Sequence, residues 1–173
     1  VTLTIVNPAG DMVDILTLSN LQQRGKSYTI EARKEQDQEK LKQFLINHAP
    51  HCVVLAATNM ECETLLKKRI HECIFMVGED HQQSVPEGMD QSALVYGDPT
   101  VPSLWESTDQ AATEFKGQPS LVRKATALCR YIQDPLTMIA TLFESNALLS
   151  LPLHPMQGTL TQEEHVGLME RTL

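Results

Sequence analysis

The sequence is short of aromatic residues and has no long apolar run. Phe, Trp and Tyr make up 5% of its 173 residues, so the core is expected to be mostly aliphatic side chains and Met. No stretch approaches the roughly 18 apolar residues of a membrane-spanning helix. Residue 1 already lies in a strand-like alternation, so no signal peptide is visible. With 42% apolar and 21% charged residues, the composition indicates a folded globular domain without membrane contact.

Several motifs that would define an enzyme class are also missing. The eight glycines are scattered, so no glycine-rich phosphate loop is present. No G-x-S-x-G turn places a nucleophile for acyl transfer. No C-x-x-C pair occurs, and the cysteines lie far apart at predicted core positions: Cys52, Cys62, Cys73 and Cys129. Buried free thiols are typical of a reducing compartment, so a nuclear or cytoplasmic location is predicted.

Two groupings of histidine and cysteine are weak candidates for a metal site. His48, His51 and Cys52 surround Pro50, and His71 lies two residues before Cys73 on a predicted helix. Zinc requires four converging ligands, and neither grouping supplies them. We therefore predict no metal at these positions.

The net charge of −8 and the pI near 5.2 argue against a domain built mainly to bind phosphates, because Lys and Arg dominate such affinity. A basic protein partner fits this charge better. Two small basic groups remain candidates for a weak nucleic-acid contact, although a solvated helix face is the simpler interpretation: Lys67, Lys68 and Arg69, and then Arg123, Lys124 and Arg130.

Along the chain, strand patterns alternate with helix patterns. Residues 1–19 read as a β-hairpin with a turn at "NPAGD". A surface helix is expected from Glu35 to just before Pro50. "HCVVLAAT" reads as a buried parallel strand, followed by a helix capped by Asn59, then by the strand "SALVYGD". The order predicts an α/β fold with a mixed sheet flanked by helices.

The segment "RYIQDPL", residues 130–136, places a proline inside a helical apolar pattern. Asp134 followed by Pro135 has the chemistry of a helix start, because Asp caps and Pro is tolerated at the first helical position. Two abutting helices, or one sharply kinked helix, are therefore predicted. Each helix is expected to bury one apolar face. On the first helix this face consists of Leu121, Val122, Ala125, Leu128, Cys129 and Ile132, and on the second of Leu136, Ile139, Leu142 and Phe143.

The C-terminal part has a different character. Thr161 and Glu164 predict a capping box before another helix. Leu168, Met169 and Leu173 on that helix are expected to lack a partner within the chain. The chain is accordingly interpreted as a piece of a larger protein.

The segments "QPSLVRKATALC" and "RYIQDPL" resemble the YqgF-like domain of the Tex family of transcription factors. Within it, they resemble the eukaryotic suppressor-of-Ty-six family of elongation factors and histone chaperones, particularly in plants and algae. "LVYGDPTVPSLWESTDQAATEF", "LINHAPHCVVLAATN" and "LPLHPMQ" extend the resemblance over nearly the whole chain. It is specific at residues 92–157 and looser before residue 80.

This resemblance implies an RNase H-like (RuvC/YqgF-like) fold in residues 1–150, with residues 151–173 starting a following helix-hairpin-helix region. The family's first strand is expected before the hairpin and is not found. The implied function is a non-catalytic scaffold in a nuclear factor that travels with RNA polymerase II, binds histones and restores nucleosomes. No cofactor is expected.

One alternative is a protein-interaction module with no nucleic-acid role. The main alternative is an active nuclease of the RuvC type. Such enzymes hold two divalent metals through several carboxylates. The candidates by position are Asp134, Glu63 and Glu61, with Asn7 as a poorer neutral ligand, and Mg²⁺ would be the cofactor. Capping explains Asp134 as well, and favourable interaction with a helix N-terminus explains Glu61 and Glu63.

Overall fold

The computed structural model describes residues 1–21, 23, 27–58, 60, 62–80 and 93–172, without the side chains of residues 62, 63, 79 and 80. The predicted cap Asn59 and most of the acidic loop at 78–91 lie outside the described residues. The elements in chain order are β1 Thr2–Val6, β2 Met12–Thr17, α1 Tyr28–His48, β3 Cys52–Ala56, a π-helical turn Cys62–Leu66, α2 Lys67–Asp80, β4 Ala93–Gly97, α3 Thr100–Glu106, α4 Asp109–Glu114, α5 Ser120–Gln133, α6 Pro135–Glu144, the 3₁₀ turns Ala147–Ser150 and Gln157–Thr159, and α7 Gln162–Thr172.

The N-terminal hairpin is present as predicted. β1 and β2 pair antiparallel, from Thr2 opposite Thr17 to Val6 opposite Met12, with one irregularity beside Val6. The open end of the hairpin is closed by Val1 and Leu18, whose backbone groups exchange hydrogen bonds of 2.7 and 2.8 Å.

The second strand pair is parallel, also as predicted. β3 and β4 pair from Cys52 opposite Ala93 to Ala56 opposite Gly97, and the crossover between them includes α2. Within the described ranges the two strand pairs are not hydrogen-bonded to each other. Helix α5 packs against both β1 and β3, so it covers the two pairs together.

Helix α1 begins seven residues earlier than predicted, at Tyr28 and not at Glu35. The extended Ser27 offers its carbonyl to the N–H groups of Ile30 and Glu31. The polar, mixed-charge residues 20–34 suggested a loop or a frayed helix start, and residues 28–34 form the first turns of the helix because several of them are good helix formers. The helix ends at His48, before Pro50, as predicted.

The described residues form two apolar cores. The first is aliphatic, as the composition predicts, and consists of Leu18, Leu21, Leu41, Leu45, Leu55, Leu66, Ile70, Cys73, Ile74 and Val77. The second is built around two aromatic side chains and consists of Trp105, Ala111, Phe115, Ala127, Met138, Leu142, Leu148 and Met169. Leu128 of α5 lies against β3 and β4, since a Cβ on Gly97 would be 2.7 Å from its Cδ1.

Several residues predicted as core are exposed. Leu121, Ile132 and Leu136 are 62%, 41% and 75% exposed. Cys52, the first residue of β3, is also exposed, whereas Cys73 is buried and Cys129 half-buried. These three cysteines are free thiols, and the side chain of Cys62 lies outside the described part.

The predicted helix junction is confirmed. Asp134 separates α5 from α6, and Pro135 occupies the first turn of α6. The capping box at Thr161 is also confirmed, since Thr161 and Glu164 exchange side-chain and backbone hydrogen bonds of 2.9 and 3.3 Å. No helix in the described ranges is long and apolar enough to cross a membrane.

Candidate functional site

A cleft of about 510 Å³ opens beside the hairpin turn. The turn of the hairpin forms one wall, and the end of α5 with the first turns of α6 forms the other. Trp105 of α3 also lines the cleft. Its full lining is Pro8, Ala9, Gly10, Asp11, Trp105, Gln110, Arg130, Gln133, Asp134, Thr137, Met138 and Thr141.

The hairpin turn is shaped by Asn7. Its side-chain Oδ1 accepts hydrogen bonds from the N–H groups of Ala9 and Asp11 at 3.0 and 2.8 Å. Its Nδ2 donates to a carboxylate oxygen of Asp11 at 3.1 Å. Gly10 has φ +89°, a conformation that favours glycine. The Asn7 amide that the nuclease hypothesis assigned to a metal is therefore engaged in holding the turn.

Asp134 lies at the cleft and caps α6. One carboxylate oxygen accepts from the Thr137 N–H at 3.1 Å and the other from the Thr137 hydroxyl at 2.6 Å. These bonds, the hydroxyl first, hold the pKa of the Asp134 carboxyl below its ordinary value. The carboxylate is thus charged at neutral pH and directed toward the helix that it begins.

Arg130 joins four elements around the cleft. Its Nε donates to the Gly10 carbonyl at 2.6 Å, and both terminal nitrogens donate to the Glu114 carboxylate. Its guanidinium carbon is 5.2 Å from the ring centre of Trp105 and 5.6 Å from that of Phe115. This arrangement uses the planar fork and the stacking face of Arg together.

Gln133 adds a second link between α5 and the hairpin turn. Its Nε2 donates to the Asn7 carbonyl at 3.1 Å. One turn of α5 therefore holds the hairpin at two backbone carbonyls, those of Asn7 and Gly10. The hairpin wall of the cleft is thus held in place by Arg130 and Gln133, which lie more than 100 residues later in the chain.

The other carboxylates of the nuclease hypothesis cannot be placed relative to Asp134. Glu61 lies outside the described residues, and the side chain of Glu63 does as well. Among the described side chains, no three His, Cys, Asp or Glu residues gather so that they could hold a metal ion. The assignment of Asp134, Glu61 and Glu63 stays a prediction.

Most of the basic residues predicted to contact nucleic acid lie close to a carboxylate or an aromatic ring of the domain. Lys67 Nζ is 5.2 Å from the centre of the Tyr96 ring, and Lys68 is 3.8 Å from Glu72 one helical turn away. On α5, Lys124 lies 3.9 Å from Glu106, and Arg130 is held as described. Arg69 and Arg123 are half-buried, so a nucleic-acid contact through these six residues stays a prediction.

Two members of the histidine and cysteine groupings, His48 and Cys73, are engaged within the described part of the domain. His48 Nε2 is 2.8 Å from a carboxylate oxygen of Asp14 and so links α1 to β2. Its ring also packs edge-on against Phe44. Burial raises the pKa of the Cys73 thiol to about 11, which makes that thiol unreactive at neutral pH.

The partners of Arg130 are the residues that sequence reasoning missed. Trp105, Phe115 and Glu114 lie 15 to 25 positions away along the chain, and Gly10 lies 120 positions away. Local spacing carries no information about such contacts. The single Trp of an aromatic-poor chain was the one available signal.

Comparison with known proteins identifies the family of the chain. Residues 1–143 match the family model YqgF, described as Holliday-junction resolvase-like of SPT6. The chain is 35% identical over 173 residues to the "Transcription elongation factor SPT6 homolog" of Arabidopsis thaliana, covering 99% of the chain and 10% of that protein.

A second Arabidopsis thaliana protein, "Transcription elongation factor SPT6-like", is 32% identical over 99% of the chain and 13% of its own length. "Transcription elongation factor SPT6" of Drosophila melanogaster is 29% identical over 90% of the chain and 8% of its own length. The chain thus spans about a tenth of these relatives. The match confirms the predicted α/β, RNase H-like fold class, and the chain belongs to the YqgF family of Holliday-junction resolvase-like domains of SPT6.

Proposed function

We propose that the chain is a non-catalytic scaffold domain of a transcription elongation factor and histone chaperone. The observation that carries this proposal is the position of Asp134. Both of its oxygens accept hydrogen bonds from Thr137 at the start of α6. A local structural role therefore accounts for the one described carboxylate on which the nuclease alternative depends.

The chemistry of the cleft supports the same conclusion. A two-metal nuclease needs several carboxylates that converge on the ions with open lone pairs. Here the Oδ1 of Asn7 accepts two backbone bonds within the turn. The one cationic side chain of the cleft lining, Arg130, is paired with Glu114. These groups hold the hairpin, α4 and α5 together, which is what a scaffold requires.

The names of the relatives support a role in transcription elongation. They are transcription elongation factors, and the chain spans about a tenth of their length. The proposed partners, histones and the RNA polymerase II machinery, are therefore partners of the full-length protein, and its proposed location is the nucleus. The acidic net charge of −8 suits basic histones. No cofactor belongs to this proposal.

The alternative is a Mg²⁺-dependent nuclease that acts on branched DNA or structured RNA. The observation that favours it is the description of the matching family as Holliday-junction resolvase-like. Its catalytic carboxylates would be Asp134, Glu61 and Glu63.

A cleavage assay separates the two functions. The chain would be incubated with a four-way DNA junction or structured RNA in the presence of Mg²⁺ or Mn²⁺, beside the Asp134→Asn variant. Asn is also a good N-cap, so this variant removes a metal ligand while it keeps the fold. We expect no cleavage from either protein, and cleavage by the unmodified chain that Asp134→Asn abolishes would establish the nuclease instead.

A second experiment tests the scaffold role in the full-length protein. Arg130→Gln breaks the links among the hairpin, α4 and α5, whereas Asp134→Asn preserves them. We expect Arg130→Gln alone to reduce co-purification of the factor with elongating RNA polymerase II. An equal loss in Asp134→Asn, or no loss in either, would contradict the scaffold proposal.

A further inference from the structure

Strand β2 has a free edge. Within the described ranges it pairs with β1 and with no other strand. Val1 and Leu18 exchange backbone hydrogen bonds, and bonded pairs alternate with non-bonded pairs in an antiparallel ladder. Leu16 is therefore bonded to β1, whereas Ile15 and Thr17 direct their N–H and C=O groups away from it. These outward groups are of the kind to which another strand adds.

The composition of the hairpin favours strand pairing at this edge. Residues 1–6, VTLTIV, contain no charged side chain, and residues 12–18, MVDILTL, contain one, that of Asp14. Val13 beside it is 55% exposed. Aliphatic, β-branched segments with few charges are typical of strands that associate edge to edge. Asp14 thus supplies the single side-chain charge of both strands.

The Asp14 carboxylate lies over the backbone of the free edge. One of its oxygens accepts a hydrogen bond from the outward N–H of Ile15 at 2.7 Å, and the other is 2.8 Å from Nε2 of His48 on α1. The bond with His48, followed by the bond with Ile15, lowers the pKa of the Asp14 carboxyl, so the group is ionised at neutral pH. It therefore occupies one outward donor and places a negative charge beside the strand.

His48 is itself held in position. Its side chain is 20% exposed, and its ring packs edge-on against Phe44 with the ring centroids 4.8 Å apart. His48 is the last residue of α1 and lies 34 positions from Asp14. The contact therefore does not follow from the local geometry of the hairpin, and it fixes the carboxylate at the strand edge.

We propose that Asp14 and His48 form an edge-protecting pair, which prevents β2 from pairing with the same strand of a second copy of this chain. A second copy is the partner that fits, because it offers an identical row of outward backbone groups. The proposal does not depend on the function proposed above.

The geometry of such a pairing shows why Asp14 opposes it. A two-fold axis at Ile15 would place the two Ile15 residues opposite each other. The two Asp14 side chains would then be diagonal neighbours on one face, about 7–8 Å apart. Each Ile15 N–H would also have to exchange its bond with Asp14 for a bond with the other copy. Repulsion between the carboxylates and the loss of these bonds both disfavour the dimer.

Association of variants of the 173-residue chain tests the proposal. Asp14→Val removes the charge and introduces a strand-forming side chain, and Asp14→Thr is a second replacement of that kind. Asp14→Lys also loses the bond with His48 but keeps a charge at the edge. The matched control is Thr17→Val, which adds an apolar side chain at an exposed position of the same strand and leaves the pair intact.

Analytical ultracentrifugation over a concentration series measures the dimer fraction, and circular dichroism verifies that each variant is folded. We expect Asp14→Val and Asp14→Thr to dimerise with a dissociation constant about tenfold or more below that of the unmodified chain. His48→Ala, which removes the anchor of the carboxylate, should show a smaller decrease. Asp14→Lys and Thr17→Val should associate no more than the unmodified chain.

Hydrogen exchange locates the interface. In the Asp14→Val dimer the amide hydrogens of Ile15 and Thr17 should exchange more slowly than in the monomer, because they become bonded to the second copy. Slower exchange confined to β4 or to another surface would overturn the proposal, because the copies would then meet elsewhere.

Three results of the association measurement would also overturn the proposal. The first is that Asp14→Val and Asp14→Thr stay as monomeric as the unmodified chain. The second is that Asp14→Lys or Thr17→Val dimerises as strongly as Asp14→Val, since loss of the hairpin contact or added apolar surface would then be responsible. The third is that His48→Ala has no effect, which would leave His48 without the assigned role. These outcomes are independent of nuclease activity and of polymerase association.

Discussion

At the scale of single residues, Arg130 connects several elements in the described part of the domain. Its side chain is 20% exposed and contacts a backbone carbonyl, a carboxylate and two aromatic rings. A guanidinium can satisfy all of these because it is planar and has five donors, whereas an ammonium is a single point of charge. The chemistry of arginine, and not its charge alone, is therefore required.

Substitution of Arg130 tests this requirement. Arg130→Lys keeps the charge but loses the fork and the stacking, so we expect a loss of about 2 kcal/mol in the free energy of unfolding. Lys124→Gln, which removes another cation of α5 in a looser pair, should cost less than about 0.5 kcal/mol. Urea denaturation measures both. Equal stability of Arg130→Lys and the unmodified chain would contradict the assigned role.

Gly97 tests close packing between α5 and the parallel strands. An added Cβ would lie 2.7 Å from Leu128 Cδ1 and 3.0 Å from Val54 Cγ1. Leu128 is 4% exposed, so it has little room to move. Gly97→Ala should cost about 1–3 kcal/mol by overpacking. The matched control is Gly158→Ala, where nothing lies within 4 Å, and thermal melts should place it near the unmodified chain.

At the scale of elements, helix ends followed their local chemistry. The sequence predicted the caps at Asp134 and Thr161, because a capping residue contacts backbone only three positions away. The start of α1 and the exposure of Leu121 and Leu136 could not be predicted in the same way. They depend on which distant segments cover a helix face, and periodicity does not contain that information.

The Asp134 cap makes a prediction about pH. Its folded-state pKa is lowered, so the ionised cap adds stability above the ordinary pKa of Asp and loses it as the pH falls through the folded-state value. The pKa of Asp14 is also lowered, mainly by the hydrogen bond of its carboxylate with His48.

Asp134→Asn should keep the cap without its titration. Thermal melts from pH 7 down to about pH 2 should therefore show a smaller loss of stability in Asp134→Asn than in the unmodified chain. Asp134→Ala should melt at a lower temperature throughout, since Ala cannot cap. Identical pH profiles for all three proteins would show that Asp134 does not act as described.

At the scale of the whole molecule, the C-terminal helix is part of the second core. Met169 of α7 is 8% exposed and belongs to the same buried cluster as Trp105 and Leu148. The sequence predicted that Leu168 and Met169 would both lack a partner in the chain. Only Leu168, which is 45% exposed, fits that expectation, and Leu173 lies outside the described residues. The domain boundary at residue 150 stays a prediction.

Substitutions on α7 test its contribution. Met169→Ala should cost about 2 kcal/mol, because it removes buried methylene and sulfur contacts and leaves a cavity. Leu168→Ala, its exposed neighbour, should change the stability by less than about 0.5 kcal/mol. Chemical denaturation measures both variants. A negligible effect of Met169→Ala would mean that the body of the domain does not depend on α7.

The hold of α5 on the hairpin turn also has a consequence for how the protein is made. Gly10 and Asn7 are held by side chains 120 and 126 positions later in the chain. A ribosome adds about 5–20 residues per second, so the first strands emerge on the order of ten seconds before their anchors exist. During that interval the apolar face of the nascent hairpin is not covered by α5, and chaperones that act on nascent chains can bind it.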